Sequence, residues 1–124
     1  MIKMMIVDDE KGICDFVGDF FKRRGHQIYT VINPQKAVEV LEKENPGIVL
    51  LDYVMSPMNG IEVLKKIREK DKKVKVIMVT VSDDPKIKEQ ALKAGANDYV
   101  TKPFTTQYLE SVVMAKIHEL APDE

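Results

Sequence analysis

The chain has 124 residues, enough for one domain that buries about two-thirds of its unfolded surface. A net charge of −1 and a pI near 6.1 exclude a basic, non-specific nucleic-acid binder, and no apolar run is long enough to span a membrane. The start MIKMMIVDDE lacks a signal-peptide layout and the single cysteine, Cys14, has no internal disulfide partner, so a reducing cytoplasm is the expected compartment.

Apolar strand-like runs alternate with helical patterns along the chain. Lys3–Val7 holds the continuous run MMIV, the pattern of a parallel strand covered on both faces. Next, Ile13, Phe16, Val17 and Phe20 recur at helical spacing, Cys14 reads as a small apolar residue of that helix, and Gly25 is the stop signal. Gln27–Val31 alternates more and predicts an edge strand. Asn33-Pro34 opens a second helix, a cap followed by proline at the first helical position, and Asn45-Pro46-Gly47 ends it. Ile48–Leu51 is again continuously apolar, and a helix from about Gly60 follows with Ile61, Leu64 and Ile67 on one face. Val74–Val79 predicts the fourth strand; Asp84-Pro85 repeats the cap–proline start and Gly95 closes that helix. Asp98–Thr101 is the last strand, and the helix after Thr105 carries Leu109, Val112, Val113 and Ile117. Met4, Met5 and Met78 read as core, and His26 and His118 as solvated.

Helical crossovers between parallel strands are right-handed, so the alternation predicts a three-layer, doubly wound α/β fold on a five-stranded parallel sheet. It is read as a single domain over residues 1–124, ordered to about residue 120 with a short C-terminal tail. Periodicity alone does not give the strand order. The order 2-1-3-4-5 would put the topological reversal between the strands ending at Asp8 and Asp52, and ligands of such sheets sit at that reversal.

Four runs place a polar group just past an apolar strand: Asp8 and Asp9 after MMIV, Asp52 after IVLL, Thr80 after VIMV and Lys102 after YVT. Taken singly, each has an ordinary reading as a cap, turn or solvated residue. As an ordered set they converge at one sheet edge. Carboxylate pairs about 5 Å apart at an effective dielectric near 20 repel by roughly 3 kcal/mol, so the cluster asks for a hard cation, and magnesium takes oxygen ligands of this kind. Asp52 stands alone after its strand and is the best phosphoryl acceptor, with Lys102 and the Thr80 hydroxyl to meet phosphoryl oxygens.

The segments IVDDE, LLDYVMSPMNG, VIMVT and GANDYVTKPF resemble, across essentially the whole chain, the CheY-like receiver domain of two-component response regulators. The resemblance implies a flavodoxin-like fold and an Asp52 phosphorylated from a histidine kinase or a histidine phosphotransfer protein. It implies magnesium bound by the side chains of Asp9 and Asp52, by Asp8 mainly through water, and by the backbone carbonyl of Val54. Thr80 would be the switch hydroxyl, Tyr99 the switch aromatic, Lys102 the phosphoryl-pairing lysine, and the Lys102-Pro103 bond cis. Such a domain signals to an output partner and is not an enzyme beyond its own phosphotransfer and dephosphorylation.

The chain departs from the family pattern in the loop after Asp52. There Ser56 stands where proline is usual, with Pro57 one residue later, and Asn59 stands where aspartate is common. Val81 follows Thr80 where a small residue is favoured, and as a stiff branched side chain it is a candidate gate to the acceptor unless it turns into the core. Gly12 and Phe16 on the first helix, and Met55 and Met58 beside Asp52, are candidate partner contacts. The fifth helix has only Lys116 and no arginine for cross-dimer pairing, so a monomer is expected, with dimerisation on phosphorylation as the alternative. The chain ends soon after that helix, at HELAPDE, without an output domain, as expected of a stand-alone receiver or of one cut from a longer regulator, and from its charge and apolar runs no direct nucleic-acid or membrane contact is expected of it. Two other functions share such a fold. A haloacid-dehalogenase-type phosphatase needs Asp-x-Asp after a strand, which is missing here, and a flavin carrier needs a glycine- and hydroxyl-rich first loop where this chain has DDEKG.

Overall fold

Every apolar run forms a parallel strand, and the sheet order is β2-β1-β3-β4-β5. The computed structural model describes residues 1–81 and 83–120, so the expected tail beyond residue 120 lies outside the described residues. The strands are β1 (Lys3–Val7), β2 (Gln27–Val31), β3 (Ile48–Asp52), β4 (Lys75–Thr80) and β5 (Asp98–Thr101). The central β1, β3 and β4 are buried nearly throughout, whereas the edge strand β2 is buried only at Val31. β3 and β4 each run one residue further than their apolar stretch implies, so Asp52 and Thr80 are the last ladder residues and are held by strand pairing, not by loops.

Helices α1 (Lys11–Lys22), α2 (Ala37–Glu44), α3 (Gly60–Lys70) and α4 (Pro85–Lys93) follow the first four strands. Their ends obey the predicted chemistry. The side chains of Asn33 and Asp84 accept hydrogen bonds from the amides of Gln35 and Lys86, although the turn behind Asn33 is a 3₁₀ turn, Pro34–Lys36, before α2 proper. Asn59 and Glu62 form a reciprocal capping box at α3, which gives the unusual Asn59 a role. Asn45 adopts a left-handed conformation, with φ of 50°, to end α2. The last helix, α5, is built from three consecutive segments: Thr106–Tyr108, a π-helical Leu109–Val113 and Met114–Leu120. The apolar spacing gave no sign of the π turn.

Alternation along β1 divides the core. Met4 and Ile6 face α1 and α5, packing with Val17, Phe21, Leu109, Val113 and Ile117. Met5 and Val7 face α2, α3 and α4, packing with Leu41, Val63, Leu64 and Ile67. Each fully buried large apolar side chain contributes about 1.5–3 kcal/mol by its removal from water.

One expectation is corrected, and the burial of α1 is decided. On α1 the buried face is Cys14, Val17, Phe20 and Phe21, while Phe16 is 42% exposed, as a partner contact requires, because it lies about 200° around the helix from Cys14. His26 is half-buried, not solvated. Its Nδ1 accepts a hydrogen bond from the Ile2 amide at 3.1 Å, and burial, then the charge of the N-terminus, holds its pKa below the ordinary value. His118 is exposed as expected, with its ring 6.5 Å from that of His26. No helix among the described residues is long and apolar enough to cross a membrane.

Candidate functional site

Parallel register brings the chemistry to one edge. Val7 lies beside Val31 and Leu51, Asp52 opposite Val79, and Thr80 opposite Thr101. Asp8, Asp52, Thr80 and Lys102 therefore emerge together from β1, β3, β4 and β5. Asp8, Asp52 and Thr80 are buried, at 2%, 3% and 1% exposure, and Asp9 is exposed. Oxygens of Asp8, Asp9 and Asp52 lie within 4.8 Å of one another.

Lys102 crosses above β4 to reach them. Its Nζ lies 2.9 Å from Asp8 Oδ2, 3.4 Å from Asp52 Oδ2 and 3.7 Å from Glu10 Oε1. The Lys102 amide donates to the Thr80 carbonyl at 2.8 Å, and the Lys102-Pro103 bond is cis. A second cis bond, Ser56-Pro57, lies in the loop after Asp52, where the proline is displaced by one residue. Asp8 Oδ1 accepts the Glu10 amide at 2.9 Å, and its carbonyl accepts the Cys14 thiol at 3.3 Å. The acids are therefore not the side-chain cap of α1, whose Ncap Glu10 makes no such bond. Burial pushes the Cys14 thiol up to about 11, with the charges of Asp8 and Asp15 adding to it, so this thiol stays protonated.

Electrostatics follow from burial. Desolvation, then the charge of Asp8, pushes the Asp52 carboxyl up to about 6 against the opposing pull of Lys102. For Lys102 burial lowers the pKa, but the hydrogen bond to Asp8 and the charges of Asp52, Asp8 and Glu10 outweigh it, and the net direction is upward. Three carboxylates face one ammonium, which leaves local negative charge on hard oxygen donors. That donor set fits magnesium, whose preference is for oxygen ligands and retained waters.

Two neighbours of the site escaped the sequence reading. Glu10, the last acid of the IVDDE segment, also reaches Lys102, at 3.7 Å. At Gly60, the start of α3, a Cβ would lie 2.3 Å from the Asp52 carbonyl oxygen and 2.9 Å from Tyr53 Cα, so only glycine fits against the strand end. Its amide donates to the Tyr53 carbonyl at 2.8 Å. No local pattern reports such a contact between the start of α3 and the end of β3.

The remaining candidates sit around this edge without joining the acid cluster. Val54 and Val81 are 59% and 66% exposed, so Val81 does not turn into the core. Met55 and Met58 are half-buried and pack on the α2/α3 side of the core, which leaves less of them for a partner than a free loop would. Gly12 and Phe16 are both exposed on α1. Tyr99 is half-buried in β5, with Lys88 Nζ 4.3 Å and Lys116 Nζ 6.0 Å from its ring centre. Those ammoniums are themselves held by Asp83 at 2.8 Å and Asp98 at 2.9 Å.

Solved structures of similar shape are receiver proteins. Chemotaxis protein CheY4 of Vibrio cholerae is 25% identical, with a TM-score of 0.87 over 93% of this chain and 98% of that one. A CheY-like response regulator receiver domain protein from Methanospirillum hungatei is 26% identical, with a TM-score of 0.86 over 97% and 96%. The BeF3-activated DrrB receiver domain is 26% identical, with a TM-score of 0.84 over 99% of both chains. The sequence profile of the response regulator receiver domain matches residues 4–114. The chain therefore belongs to the response regulator receiver domain family, the CheY-like signalling domain of two-component systems.

Proposed function

We propose that Asp52 accepts a phosphoryl group from the phosphohistidine of a histidine kinase or phosphotransfer protein, and that the chain, as one cytoplasmic receiver domain over residues 1–124, passes the resulting change to an output partner. The observation that carries this reading is Lys102 Nζ held between Asp8 and Asp52, at 2.9 and 3.4 Å, inside a buried acid cluster. A DrrB receiver activated by BeF3, 26% identical to this chain, supports it by likeness. With a pKa of about 6, Asp52 is ~90% ionised at pH 7, the form a nucleophile needs.

In the transfer an Asp52 carboxylate oxygen attacks phosphorus in line. The new O–P bond forms as the P–N bond to imidazole breaks, and the imidazole leaves with the electron pair and regains its proton from water. Lys102 shifts its pairing from the carboxylate to a phosphoryl oxygen. The Thr80 hydroxyl donates to a second one and turns toward the site, and Tyr99 follows as the switch aromatic. Asp9, Asp52, the Val54 carbonyl and Asp8 would hold magnesium here, which would supply neutralising charge for the phosphoryl oxygens. Water later cleaves the acyl phosphate, regenerating the carboxylate and releasing inorganic phosphate. Val81 narrows the approach to Asp52 for small donors and for water. The exposed Gly12 and Phe16 are proposed to meet the phosphodonor protein, and Met55 and Met58 contribute the part of their surface left outside the core. The unphosphorylated chain is proposed to be a monomer.

The test is incubation with magnesium and acetyl phosphate or a phosphorylated kinase domain, followed by intact-mass measurement. One added phosphoryl group is expected, lost in Asp52→Ala. Labelling that persists on another residue in that variant overturns the acceptor assignment, and steady turnover of a phosphate ester would instead favour the phosphatase reading.

A further inference from the structure

Among the described residues, lysines without a carboxylate partner occur around the molecule, at Lys3, Lys22, Lys43, Lys75 and Lys86, but they are densest at the foot of α3. Lys11, Lys36, Lys88, Lys93, Lys102 and Lys116 each have a carboxylate oxygen within 3.9 Å. Among the described residues, Lys65, Lys66, Lys70, Lys72 and Lys73 are exposed and none of them is paired with an acid. The Lys72 ammonium donates only to the Arg68 carbonyl, at 3.2 Å.

The segment's acid, Asp71, is engaged by its own loop, and its arginine, Arg68, by backbone carbonyls. Asp71 Oδ1 accepts the amides of Lys73 at 2.8 Å and Val74 at 2.9 Å, which fixes the loop and holds the Asp71 carboxyl below its usual range. Arg68 donates to the carbonyls of Gly95, Asp71 and Val74 and to Asn97 Oδ1, so its guanidinium is committed to the fold. Glu69 is the one acid facing outward between Lys65 and Lys73. The helix macrodipole accounts for Lys70 in the last turn of α3, not for Lys65 and Lys66 in mid-helix or for the loop residues Lys72 and Lys73. Lys66 and Lys70, one turn apart, repel. The segment thus presents a row of positive charges beside a cavity of about 540 Å³ whose lining includes Lys3, Lys73 and Lys75 together with Asp71 and Met1.

We propose that this surface is a docking site for an acidic segment of a partner protein. Same-side residues of an extended peptide repeat every ~6.6–7 Å, close to the ~6 Å between lysines one helical turn apart. The chemistry disfavours other polyanions. The patch has no exposed aromatic for base stacking, and its arginine is already bound to carbonyls, so bidentate phosphate contacts are missing. Of the exposed large hydrophobics, Met1, Phe16, Ile32, Val54, Val81 and Leu92, only Met1 borders this surface, at the cavity, and one side chain does not make the apolar face a membrane-binding helix needs.

The location separates this site from phosphotransfer. Lys75 lies opposite Ile48 at the start of β3, and Asp52 ends that strand, about 13 Å further on across the core. Docking at the foot leaves the acid edge open, and the inference does not depend on the phosphoacceptor reading.

The experiment uses the whole chain, amide-labelled for NMR, with a ten-residue glutamate-rich peptide, a single-stranded DNA oligonucleotide and vesicles containing 30% phosphatidylserine as separate probes. The peptide should shift amides of residues 65–75 and lose at least tenfold in affinity between about 20 and 200 mM salt. Lys66→Gln/Lys70→Gln/Lys73→Gln, on exposed positions, should weaken it at least tenfold. Lys11→Gln/Lys36→Gln, where the lysines are already paired, should stay within twofold. Phosphoryl uptake by the triple variant, read by intact mass, should be unchanged. Shifts centred elsewhere, an unaffected triple variant, or DNA or vesicles bound tenfold more tightly than the peptide overturn the proposal.

Discussion

Replacing Asp52 by asparagine should make the metal-free protein more stable. Asp52 is 3% exposed, and desolvation together with the neighbouring Asp8 pushes its pKa from 3.8 to about 6. A folded-state pKa above the unfolded one means the folded chain holds this proton more tightly, so ionisation opposes folding. The penalty is absent below about pH 4, grows as pH rises between about 4 and 6, and is complete above that. About two pKa units at 1.36 kcal/mol each put it near 3 kcal/mol. Asparagine keeps the shape but leaves Lys102 one anionic partner fewer, so the expected gain at pH 7.5 is about 1–3 kcal/mol, a rise in Tm of roughly 5–10 °C. Thermal and urea unfolding in a chelating buffer, from about pH 4 to 8, measures it. The two proteins should converge at the acid end and separate toward neutrality, and magnesium should narrow the gap by stabilising only the wild type. An asparagine variant no more stable at pH 7.5, or a gap unchanged at pH 4, would refute the argument from buried charge.

Three further outcomes are expected. Gly60→Ala should cost about 1–3 kcal/mol in urea unfolding and slow phosphorylation, because its Cβ would sit 2.3 Å from a backbone oxygen of Asp52 that must shift. Val81→Ala, at a position 66% exposed, should change stability by less than about 0.5 kcal/mol but more than double both phosphorylation by acetyl phosphate and the loss of the phosphoryl group; rates within twofold of the parent sink the gate. Arg68→Ala should destabilise by about 2–4 kcal/mol by leaving the carbonyls of Gly95 and Val74 without their charged donor, and Arg68→Lys should recover only part of it, both read from denaturant midpoints.

Local physics made most of the secondary structure readable. Continuous apolar runs marked the central strands, Asn33-Pro34 and Asp84-Pro85 marked helix starts, and Gly25, Asn45 and Gly95 marked helix ends, each at positive φ. These signals lie within a few residues of what they control. On α1, Phe16 and Phe21 are equally apolar, and only packing against the sheet decides which of them is buried. His26 misled for the same reason, since its partner, the Ile2 amide, is distant in sequence.

The sequence by itself determined which groups stand at the strand ends: Asp8, Asp9, Asp52, Thr80 and Lys102. Their polarity breaks each apolar run, and a polar group cannot be carried further into a doubly covered sheet without a partner. The tertiary structure alone decided how those groups meet. Strand order and register, set by side-chain packing across the sheet, bring Lys102 over β4 to Asp8 and Asp52, add Glu10, and press Gly60 against the Asp52 carbonyl. Long-range contacts of this kind depend on the whole packed arrangement and leave no periodic trace in the chain.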